Sequence, residues 1–112
     1  MSIGMEGFGA QYATLAVSGE LKVGEPVKLS GNCTVAPAAS AGSFSGVLAT
    51  LRGELGLVQL RGAVEVPYSG TAPAVGYAML GADGTGGVKT VTTGGRMVDI
   101  VSVEDDKVTF IL

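Results

Sequence analysis

The sequence predicts an all-β single domain, a small barrel or sandwich of about eight to ten short antiparallel strands. Three observations carry that expectation. Short apolar runs rich in Val and Leu recur along residues 11–112. Gly or Pro punctuates almost all of them, with 19 Gly and 4 Pro in 112 residues. Segments such as Val27-Lys28-Leu29 and Ala63-Val64-Glu65-Val66 alternate with the period of two that a half-buried strand requires.

Residues 46–70, GVLATLRGELGLVQLRGAVEVPYSG, hold three such runs, at 46–51, 55–60 and 63–66. Only Arg52-Gly53-Glu54 and Arg61-Gly62 part them, so they read as a compact antiparallel meander. Val64 and Val66 are expected inward and Glu65 outward, with Gly56 and Gln59 spacing the apolar positions of the middle run. Pro67 ends the pairing, because it has no N–H for a ladder. Phe44, Val47, Leu48, Leu51 and Leu55 also fit a helical stripe. A helix continued across Gly53, Gly56 and Gly62 would lose roughly 1 kcal/mol at each relative to Ala. Strand is the preferred reading.

Residues 1–10 contain three Gly and no periodicity, and read as a flexible arm whose Ile3, Met5 and Phe8 could dock on a partner. Strands are expected at 11–17, around 27–29 and at 33–36, with Ser30-Gly31-Asn32 as the hairpin turn. Residues 37–43 fit either a loop or one helical turn. Further runs follow at 74–80, 88–92, 96–103 and 107–112, separated by turns at 81–87, 93–95 and Glu104-Asp105-Asp106. The run at 107–112 is expected to be tied into the sheet, so that losing a few of its residues unfolds the domain.

Composition narrows the function. The chain has no His and one Cys, Cys33, which removes the usual neutral-pH general base, an internal disulfide and any multi-Cys metal cluster. Enzyme function is therefore not expected, and no cofactor motif is present. Charged residues make up 15% of the chain, against about 25% in an ordinary soluble domain. So few charges imply that part of the surface is buried against another subunit or partner. A net charge of −3 with scattered Lys and Arg does not suit nucleic acid. No apolar run approaches the roughly 20 residues that span a bilayer. The opening MSIGMEGFGA lacks the basic and apolar regions of a signal peptide, so use inside a cell, or in a particle assembled there, is expected.

Several motifs have ordinary explanations. The glycines at 84–87 and 93–95 lack the Lys-Ser/Thr pair or dinucleotide spacing of a phosphate cradle and read as tight turns. Glu104-Asp105-Asp106, with Asp83 and Asp99, reads as solvated acids rather than a calcium site. Asn32-Cys33-Thr34 is a chance sequon, and Cys33 is expected as a small buried apolar side chain. Arg52 and Arg61, near Glu54 and Glu65, are either ordinary surface ion pairs or fix register across a subunit interface.

Taken in order, a set of strings resembles the family of phage and prophage head decoration (capsid cement) proteins. They are Val23-Gly24-Glu25-Pro26-Val27, AGSFSGVL at 41–48, GLVQLRGAVEVP at 56–67, Leu80-Gly81-Ala82-Asp83-Gly84 and Met97-Val98-Asp99-Ile100-Val101. They cover most of residues 19–112 but not the arm. The resemblance implies a small β-barrel on the outside of a viral shell, a homotrimer bound to the major capsid protein at a three-fold position, with no catalytic residues. The expected interface draws on Phe8, Arg61, Val64, Val66, Pro67 and Tyr68. A ligand- or carbohydrate-binding barrel is the alternative, and it would need a concave pocket lined with aromatics.

Overall fold

A computed structural model describes residues 9–112, so the arm expected at residues 1–10, with its Phe8, lies outside the described residues except for Gly9 and Ala10. Ten strands follow: β1 (Gln11–Val17), β2 (Pro26–Gly31), β3 (Thr34–Pro37), β4 (Gly46–Arg52), β5 (Leu55–Arg61), β6 (Ala63–Pro67), β7 (Gly76–Ala82), β8 (Val88–Thr90), β9 (Arg96–Val103) and β10 (Lys107–Ile111). The all-β expectation holds, and no helix occurs among the described residues. The first five strands close a barrel in the order β1-β3-β2-β4-β5, and the other five form a C-terminal sheet in the order β6-β10-β9-β7-β8. Pairing is antiparallel except between β1 and β3.

The ambiguous stretch at 44–55 is strand, because β4 is buried on both sides. Leu48 points into the barrel with Leu21, Val27, Val35 and Val58. Val47, one residue earlier, joins Phe44 and Ala38 against the inner face of the C-terminal sheet. A strand between two cores needs no polar alternation, which is why its apolar residues also satisfied a helical period. Across the second core the Phe44 and Phe110 rings meet edge to face at 5.9 Å, a favoured aromatic geometry.

The expected meander breaks after its second strand. β4 and β5 pair, but β5 then closes the barrel on β1, while β6 crosses to the other sheet and pairs with β10. Gln59 holds this corner. Its Nε2 donates to the carbonyls of Arg61 at 3.1 Å and Ala63 at 3.0 Å, on either side of Gly62, whose φ is 99°. Gln59 is thus a buried tie, 6% exposed, and not a solvent-facing spacer. Gln59→Leu keeps the volume but strands two carbonyls, so stability should fall by about 1–3 kcal/mol. A urea midpoint equal to wild type would contradict this role.

Four local expectations also change. The first hairpin turns at Asn32-Cys33, since Gly31 still pairs with Thr34. Cys33 takes φ 51° there and is exposed rather than buried. Gly81 and Ala82 belong to β7, paired with Lys89 and Val88. Glu65 reaches Lys107 across β6 and β10 at 3.5 Å, the one ion pair among the described residues, and not an arginine.

The turn at 84–87 is organised by Asp83. Its carboxylate accepts from Thr85 N at 2.7 Å, Thr85 Oγ1 at 2.9 Å, Gly87 N at 3.0 Å and Ser69 Oγ at 3.1 Å. Burial opposes ionisation, but these bonds to the charged form outweigh it and hold the carboxyl below its ordinary value. A lowered native pKa means the stabilisation is present above the unfolded pKa, near 3.9, and lost as pH falls through the native value. Asp83→Asn should therefore flatten the acid limb of the stability–pH curve below about pH 4. An unchanged acid limb would show that Asp83 does not couple folding to protons.

Candidate functional site

The feature least explained by folding is a shallow groove of about 490 Å³ lined by Leu29, Ser43, Phe44, Ser45, Leu60, Arg61 and Arg96. It lies where the end of β5, the segment before β4 and the start of β9 meet, and so takes residues from both sheets. The Ser45 amide donates to the Val27 carbonyl at 2.7 Å, and the Ser45 hydroxyl accepts from the Leu29 amide at 3.3 Å, which fixes one wall. Arg96 Nη1 donates to the carbonyls of Phe44 at 3.2 Å and Ser45 at 3.0 Å. Arg61 Nη1 donates to the Leu60 carbonyl at 2.8 Å.

Two guanidiniums thus share one groove, and no carboxylate is among its lining residues. Burial lowers the Arg96 pKa, and the positive charge of Arg61 lowers it further. Arginine stays charged regardless, so the groove is a fixed positive site with unused planar donors between apolar walls. Planar donors of this kind match a carboxylate.

Leu55, at the other end of β5, adjoins a hollow of about 580 Å³ lined by Val17, Gly19, Glu20, Leu21, Lys22, Glu25, Leu51, Gly53 and Glu54. Three glutamates there face one lysine. Arg52, exposed, flanks the Gly53-Glu54 turn opposite Leu55, so this end of β5 carries three acids against two bases. The Arg61 end carries two arginines and no lining carboxylate.

The expected interface residues do not form one patch. Arg61 is exposed in the groove, and Pro67 is exposed at the end of β6. Val64 and Val66, 3% and 0% exposed, are spent on the protein's own core and leave no surface for a partner. The inward alternation expected of them holds, and their burial inside the chain's own core does not fit the interface role expected of them. Tyr68 is half-buried, and its hydroxyl donates toward the carbonyls of Glu104 at 2.9 Å and Asp105 at 3.1 Å, bracing the β9–β10 turn. Phe8 lies outside the described residues.

The sequence reading missed Arg96, Leu29, Tyr77 and Met97 as surface-active residues. Strand β9 held a clue, since Met97 is apolar on the face opposite Val98 and Ile100. The aromatics do not gather in a pocket. Phe44 and Phe110 are core, Tyr77 stands on the outer sheet face, and a 360 Å³ cleft beside Gln59 and Glu65 holds Tyr12 alone. No helix among the described residues is long and apolar enough to cross a membrane. No protein-family model matches the chain, and no curated protein matches it in sequence.

Proposed function

We propose that this chain is a non-enzymatic structural subunit, a decoration protein that binds the outer shell of a phage or prophage head as a homotrimer. The observation that supports it best is the outer face of the C-terminal sheet. Register places Tyr77, Met79, Met97 and Ile111 on that face around Asp99. Tyr77 is 70% and Met97 40% exposed. An apolar sheet face left in water costs free energy that burial against a partner recovers, roughly 25 cal/mol per Å². The low charge content works in the same direction, and the resemblance in motif order supplies the shell as the partner. On this reading the protein works at the capsid surface, without cofactor, nucleic acid or membrane.

The test is co-sedimentation with heads of the phage or prophage that encodes the chain, beside light scattering of the free protein. Wild type should bind heads saturably, and Tyr77→Asp with Met97→Asp should weaken binding at least about tenfold, as loss of apolar anchors does. Equal binding by the double variant, or no binding by wild type, overturns the proposal. Tyr68→Asp is a poor probe, because it would disturb the β9–β10 turn.

A further inference from the structure

We infer that the arginine groove of one copy receives the Gly53-Glu54 hairpin tip of a second copy, joining chains head to tail through the two ends of the barrel. This rests on the reading that the chain self-associates, and it names the surfaces that do so. Arg52 pairs with Leu55, leaving Gly53-Glu54 as a two-residue turn, a narrow tip that is ordered before it binds. Glu54 is exposed and has no ion-pair partner among the described residues. Arg52 stands across the turn from Leu55, without an ion-pair partner among the described residues. The leucines beside the tip are open to solvent, Leu51 36% and Leu55 54% exposed.

The groove offers the complement. Arg61 and Arg96 have no carboxylate partner among the described residues, and Leu29 beside them is 57% exposed. The Glu54 carboxylate at the point of the turn, with Leu55 beside it, fits two guanidiniums between apolar walls, and Arg52 at the base of the turn stays outside the groove. One copy cannot make this contact with itself. Leu55 and Arg61 occupy the two ends of β5, about 20 Å apart at the rise of an extended strand. A patch that pairs with a different patch is heterologous, and it closes into a ring when the rotation between copies divides a full turn. Three-fold closure gives the trimer. The apolar face of the C-terminal sheet takes no part and remains open to a larger assembly.

The test is disulfide trapping with Glu54→Cys and Arg61→Cys together in a Cys33→Ser background. A disulfide needs Cα atoms within about 7 Å, so the two new cysteines of one chain cannot reach each other. Oxidation should give a covalent ladder ending at trimer on non-reducing gels, and either cysteine alone should give at most dimer. Arg61→Glu without new cysteines should raise the concentration for half-association about tenfold, as should high salt. A trimer by light scattering that yields no such ladder overturns this contact while leaving the structural proposal standing. A chain that stays monomeric at every concentration overturns the contact, and head binding through Tyr77 and Met97 then decides the broader reading on its own.

Discussion

Removal of residues 109–112 should leave a chain with no cooperative thermal transition. Strand β10 lies between β6 and β9 in its sheet, so its loss leaves β6 without a partner strand and strips one edge of β9, which keeps only β7. It also removes Phe110, fully buried, which closes the second core against Phe44. The point variant Phe110→Ala separates side chain from backbone. It should cost about 3–5 kcal/mol, a large share of the 5–15 kcal/mol typical of a whole domain. Urea unfolding of the variant and circular dichroism of the truncation check the two claims. A truncated chain that melts like wild type would mean that β6 and β9 hold without their shared partner.

Leu48→Ala should cost about 2–5 kcal/mol, because the barrel interior has few side chains with which to fill the space. Its buried set is Leu21, Val27, Val35, Leu48 and Val58, with Leu15, Val17 and Leu60 packed at the margin. Gly56 makes the prediction sharper. A Cβ at Gly56 would stand 2.7 Å from Leu48 Cδ1 and 2.9 Å from Val17 Cγ2, too close for ordinary packing. Gly56→Ala alone should therefore destabilise by about 1–3 kcal/mol through overpacking. In the Leu48→Ala background the same methyl enters vacated space, so the double variant should be more stable than the sum of the singles. Additive losses in a double-mutant cycle would show that Gly56 and Leu48 do not share a packing site.

The residues differ in how legibly they announced their places. The alternation in Ala63-Val64-Glu65-Val66 put both valines inward, as observed, but could not say inward to what. Their burial in the monomer's core removed them from the expected interface. Gln59 looked like a polar spacer because a polar residue in a strand usually faces water. Its burial depends on two carbonyls beyond the strand's end, at Arg61 and Ala63, which become partners only when the chain turns at Gly62. Cys33 looked apolar and buried, and a one-residue shift of the hairpin turn exposed it. Arg61 was singled out for its neighbours Glu54 and Glu65, yet Glu65 pairs with Lys107 and Arg61 meets another arginine.

By itself the residue order determined what is local: short strands from apolar runs, turns from Gly and Asx residues, the absence of room for a long helix, and a surface short of charge. These follow from backbone sterics and side-chain period, which act over a few residues. Tertiary structure alone decided which strands pair, why β6 leaves the barrel that β5 closes, and that Arg61 and Arg96 come to share one groove. Those outcomes depend on contacts between residues far apart in the chain. Each is a small difference between competing pairings that no single segment encodes.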